Sequence, residues 1–89
     1  MTLVNKEQFH YMQATIEEYD DGTIVFYSYF TPVVVRHNMQ WITSPAKYSS
    51  TTTRQQNRFI NEWQINPVVV EHEYFVKVLN ILGISRGYA

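Results

Sequence analysis

The chain has no cysteine among its 89 residues. That removes disulfides, thiolate metal ligands and thiol nucleophiles together, leaves stability to packing, and suits a reducing compartment. Glycine is nearly as scarce: three residues cannot build a glycine-rich phosphate loop. No apolar run approaches the roughly 18 residues of a membrane span. The opening MTLVNKEQF lacks the basic-then-apolar pattern of a secretory signal. Repeats, low-complexity tracts and interdomain linkers are also missing, so the chain reads as one soluble intracellular domain, residues 1–89. Nor is there an excess of charge. The net value is -1, unevenly placed: residues 1–44 carry Lys6 and Arg36 against Glu7, Glu17, Glu18, Asp20 and Asp21. Residues 45–89 carry Lys47, Arg54, Arg58, Lys77 and Arg86 against Glu62, Glu71 and Glu73. An acidic first half and a mildly basic second half fit neither a strongly basic nucleic-acid binder nor a DNA mimic.

What the chain does hold is apolar and aromatic. A hydrophobic content of 45% of the chain, with aromatics at 16% of the chain, is enough for a core in one small domain. Seven tyrosines suggest that part of this aromatic surface serves an interface, because tyrosine joins apolar area to a polar tip. At this length a homodimer or another partner would add useful buried surface.

The order of patterns predicts an α+β fold: a small antiparallel β-meander of three to four strands over about residues 14–48, then two helices packed on one face. ATIEEYDDGTIVFYSYF reads as a hairpin turning at Asp21 and Gly22. In its second strand Ile24, Phe26, Ser28 and Phe30 alternate with Val25, Tyr27, Tyr29 and Thr31, and both sets are largely apolar, as in a central strand. Residues 5–19 fit two patterns, a strand or a helix from about Asn5, because Phe9, Met12, Ile16 and Tyr19 keep helical spacing. Pro32 should interrupt the ladder, and VVVRHNMQWIT reads as two strands about a turn at His37 and Asn38.

From Thr53 the period lengthens. Gln56, Phe59, Ile60 and Trp63 share one helical face over about residues 53–65, with Thr53 and Gln56 placed as a capping box. Asn66 and Pro67 end that helix and can open another over residues 67–82, although VVV at its start also suits a strand. Gly83 is placed as its stop, and residues 84–89 read as a loose tail.

Chemistry is sparse. Histidines at 10, 37 and 72 form no metal spacing; His72 lies between Glu71 and Glu73, but adjacent helical residues point in different directions. The acids Glu17, Glu18, Asp20 and Asp21 flank a turn, where solvation or a basic partner suits them better than a catalytic cleft. No catalytic, cofactor-binding or metal-ligating residue is assigned, and the chain is read as a non-enzyme. Tyr27, Tyr29 and Trp41 are a candidate aromatic interface, with core packing as the plainer account. KYSSTTTRQQNRF is the strongest candidate. An arginine in the first helical turn opposes the helix dipole, so Lys47, Thr51, Thr52, Arg54 and Arg58 are a candidate anion or partner contact. The plainer account is that Thr53 caps the helix and Arg58 pairs with Glu62.

YSYFTPVVV followed by KYSSTTTRQQNRFI resembles a widespread family of small tailed-bacteriophage proteins. The shared positions are Ser28, Tyr29, Thr31, Pro32 and Val33, then Lys47, Tyr48, Ser49, Thr51, Thr52, Arg54, Asn57 and Phe59. Val34 or Val35 stands where those proteins often have alanine, and Gln55 where they usually have histidine. The resemblance implies a sheet-plus-helix fold and a phage protein in the host cytoplasm. It brings no activity, but such proteins are frequently anti-defence or host-takeover factors. It therefore implies stoichiometric binding of a host or phage protein, for instance an anti-CRISPR-like or other nuclease inhibitor. The alternative is a nucleic-acid-binding accessory protein using the loop-helix junction from Lys47 to Arg58.

Overall fold

Gly22 turns the chain at φ 89°, a left-handed backbone that glycine takes without a Cβ clash. Around it, Ala14–Tyr19 (β2) pairs with Ile24–Ser28 (β3), and Ile16 lies opposite Phe26, as the hairpin reading expects. The computed structural model describes residues 1–10 and 12–84. Within them Leu3–Gln8 (β1) precedes the hairpin, and Thr31–His37 (β4) and Gln40–Thr43 (β5) follow it. Then come Ser50–Trp63 (α1), Val68–Val69 (β6) and His72–Ile81 (α2). The strands form one sheet in sequence order, antiparallel through β5, with β6 parallel to β5.

The α+β expectation holds, with a larger sheet than the three to four strands expected. It starts at Leu3 rather than about residue 14, because residues 5–19 are strand at both ends: Lys6 lies opposite Glu17 and Glu7 opposite Ile16. Helical spacing of Phe9, Met12, Ile16 and Tyr19 was a coincidence of the turn between β1 and β2. Phe9 and Ile16 pack on one side of the sheet, Tyr19 on the other.

Strand alternation decides where the helices go. Ile16, Phe26 and Val34 pack with Phe59 of α1, whereas Val25, Val35 and Ile42 pack with Phe75, Val78 and Leu79 of α2. Neighbouring residues of a strand face opposite ways, so the helices cover opposite faces rather than one. That sandwich explains why β3 and β4 are apolar on both faces.

Three boundaries shift, and one proline is accommodated. The strand expected to run through Thr31 stops at Ser28, and Tyr29 and Phe30 form a two-residue turn into β4. Pro32 is accommodated at a bulge: it lies opposite Tyr27 while Val34 lies opposite Phe26, so Val33 is the extra residue. The next turn is at Asn38 and Met39, both left-handed, one residue later than expected. Instead of a helix from residue 67, Val68 and Val69 pair with Ile42 and Thr43, since β-branched side chains suit a pleated surface, and α2 waits until His72. Gly83, at φ 75°, ends α2 as expected. Ile84 is not loose: it is 6% exposed and packs in the α2-side core. The rest of the expected tail, residues 85–89, lies outside the described residues.

Candidate functional site

The hydroxyl run resolves into a helix start with an internal purpose. Ser49 is the N-cap of α1, its Oγ accepting the Thr52 amide at 3.2 Å, so the cap lies four residues before Thr53. The capping box is not formed; Gln56 instead donates from Nε2 to Thr43 Oγ1 of β5 at 2.9 Å. Thr52, expected at the surface, is buried. Ser49 donates to Thr52 Oγ1 at 3.2 Å, Thr52 and Ser28 Oγ are 2.8 Å apart, and Ser28 donates to Gln55 Oε1 at 2.6 Å. Since Ser28 gives its proton to Gln55, it takes one from Thr52, and the relay runs in one direction with every member satisfied. It fastens the start of α1 to the end of β3. Sequence reasoning missed Ser28 and Gln55, because neither a serine in a strand nor a glutamine in a helix announces a partner.

Of the remaining candidates, Lys47, Thr51 and Arg54 are exposed, and their side chains make no hydrogen bond or ion pair among the described residues. Lys47 lies in the loop before α1; Thr51 and Arg54 lie on its first turns, which carry no acidic residue. Arg58 stands 3.9 Å from Glu62, one turn on, and Glu62 also takes His10 Nε2 at 2.7 Å. This pairing follows the plainer expectation for Arg58 and adds His10, whose distance in sequence hid it.

The aromatic set divides. Tyr27 is 8% exposed and belongs to the α2-side core, so it drops out as a surface contact. Trp41 packs edge-on against Phe59 and Trp63, at 5.8 and 6.0 Å between ring centroids. Tyr29 is exposed at 51%, and its unpredicted neighbour Phe30 at 70%. They were missed as a pair because YSYFT contains none of the usual turn residues.

The acids around the β2–β3 turn are engaged within the fold. Asp21 accepts the Thr23 amide at 2.9 Å, which holds its carboxyl below the ordinary aspartate range. Asp20 accepts the Thr2 amide at 2.9 Å, and Glu17 takes the Tyr19 hydroxyl at 2.8 Å and Lys6 at 3.7 Å. His72 Nδ1 lies 2.6 Å from Ser44 Oγ, which also accepts the Ala46 amide. This ties the end of β5 to the start of α2. Among the described residues no three histidine or acidic side chains stand together to hold a metal ion.

Fold and surfaces together define a small α+β domain whose mixed sheet lies between two helices. The chain belongs to the Family of unknown function (DUF8033), whose model matches residues 1–75, the whole sheet, α1 and the first residues of α2. Neither a curated protein nor a solved structure matches it.

Proposed function

We infer that this is a phage protein that works by stoichiometric binding to a host macromolecule in the host cytoplasm, inhibiting a nuclease or other defence complex without turnover. Phage origin rests on the resemblance of residues 27–35 and 47–60 to small tailed-phage proteins. One observation carries the binding mode: Lys47, in the loop before α1, and Thr51 and Arg54, on its first turns, lie exposed and unpartnered where the buried Ser28 relay fastens the helix. Cations at the anchored start of a helix whose first turn carries no acidic residue fit an acidic protein surface, where they speed association and set orientation.

The test is charge reversal. A partner purified with the protein from infected cells is titrated by calorimetry with the parent chain and with Lys47→Glu plus Arg54→Glu. The expected result is a one-to-one complex weakened at least tenfold by the reversal while the melting curve is unchanged. An affinity indifferent to it overturns the reading. The second reading, a nucleic-acid-binding accessory protein, draws on the same cations plus Arg58, whose long contact to Glu62 leaves its guanidinium half exposed. It requires binding that falls steeply with salt and is lost in Arg54→Ala plus Arg58→Ala. Thr52 takes no part in either version, because it is buried.

A further inference from the structure

α2 covers only part of its face of the sheet. Over β1 and β2 that face carries Lys6, Thr15 and Glu17, and the turn of Tyr29 and Phe30 stands beside it. Two hollows open there. One of about 60 Å³ lies among Lys6, Thr15, Glu17 and Tyr27; the other, about 270 Å³, lies round the end of the sheet among Gln8, Met12, Gln13, Ala14 and Thr15. Tyr29, Phe30 and Thr15 line both, so they adjoin around the aromatic turn.

The turn sets two aromatic residues at the edge of both hollows. Tyr29 has φ 56°, a left-handed backbone that costs an L-residue about 1–2 kcal/mol, where glycine or asparagine would sit without strain. Strain of this kind collects at sites where a side chain must be presented. Here it presents a tyrosine and a phenylalanine, both more than half exposed. Around them the polar side chains are unspent. Those of Gln13, Thr15 and Tyr29 make no hydrogen bond among the described residues, and Gln8 uses only Nε2, to the Met12 carbonyl.

We propose that this groove is a binding site for a neutral saccharide, with Tyr29 and Phe30 as the stacking wall and Gln8, Gln13 and Thr15 as the hydrogen-bonding rim. Three features select that chemistry. Lys6 and Glu17 neutralise each other at 3.7 Å, so the site offers no net charge to an ionic ligand. Amides and hydroxyls that both donate and accept match sugar hydroxyls, which do the same. Exposed ring faces carry negative quadrupole density, which attracts the weakly positive C–H hydrogens of a pyranose face. The larger hollow, about 270 Å³, lies just below the roughly 300–1,000 Å³ of ligand sites and is open to solvent on one side, as suits a small ligand held at the surface. The groove shares no lining residue with the cations around the start of α1, so variants of the two sets test them separately.

The experiment is amide-resolved NMR titration of the full chain with neutral disaccharides, maltose, cellobiose and N,N′-diacetylchitobiose, and with uncharged nucleosides in parallel. At least one disaccharide is expected to shift the amides of Gln8, Gln13, Thr15, Tyr29 and Phe30. Tyr29→Gly is the decisive variant: it relieves the turn and keeps or raises the melting temperature, yet is expected to weaken saccharide binding at least tenfold. Phe30→Ser is expected to weaken it too, whereas Lys47→Glu plus Arg54→Glu leaves it unchanged. Absence of shifts with every saccharide, shifts confined to nucleosides, or full affinity in Tyr29→Gly would each overturn the proposal.

Discussion

Ser28 shows how much one buried hydroxyl decides. It is 1% exposed, joins β3 to α1 across 24 positions, and is both donor and acceptor in the relay. Ser28→Ala strands the Gln55 carbonyl and the Thr52 hydroxyl in the interior, and an unsatisfied buried group costs about 1–3 kcal/mol. Urea unfolding is expected to show a loss of that size with an unchanged m-value; a loss under half of it would mean that water or a rotamer change repairs the gap. Asp21 gives the pH signature. Its hydrogen bond from Thr23 lowers the folded pKa, so the folded chain holds that proton more weakly than the unfolded chain. The contribution is complete above the unfolded carboxylate range and fades as pH falls through the lowered value. Asp21→Asn is therefore expected to flatten the acid limb of melting temperature against pH, and identical acid limbs would contradict it.

At the scale of elements, period and turn chemistry made part of the fold legible. The hairpin of β2 and β3 was readable because Asp21 and Gly22 sit between β-branched and aromatic runs, and α1 because Phe59 and Trp63 keep helical spacing. What stayed hidden depends on partners distant in sequence. β1 has all six residues exposed, so no buried period marks it; only pairing with β2 makes it a strand. β6 is two valines that read equally as helix or strand until Ile42 and Thr43 are alongside. The same limit governed the surface: Lys47, Arg54 and Tyr29 were legible as unusual residues, while Phe30 needed the turn to be seen. α1 itself has an improvable end. Its C-cap, Gln64, is left-handed at φ 52°, ψ 45°. Gln64→Gly is expected to raise stability by about 0.5–1 kcal/mol. Phe59→Ala, which opens the stacked contact to Phe26 at 4.3 Å between centroids, should cost about 3–5 kcal/mol. Both are read from denaturant midpoints.

For the whole molecule, two cores on one sheet mean that neither helix is dispensable. Without α2 the inner side chains Val25, Val35 and Ile42, each at most 5% exposed, would face water. A chain ending at Glu71 is expected to lose cooperative unfolding and to bind hydrophobic dyes; a sharp, two-state melt for it would show that the α1 side folds alone. The parallel pairing of β6 with β5 has a different consequence, one of time. Hairpins between adjacent antiparallel strands close over short loops, but Val68 meets Ile42 only after the intervening chain, including α1, has crossed the sheet. Assembly is therefore expected to proceed from the meander outward, with β6 and α2 docking last. In pulse-labelling with deuterium the Val70 amide, bonded to the Thr43 carbonyl at 2.9 Å, would gain protection after the amides of β2 and β3, leaving an intermediate whose open edge is β5.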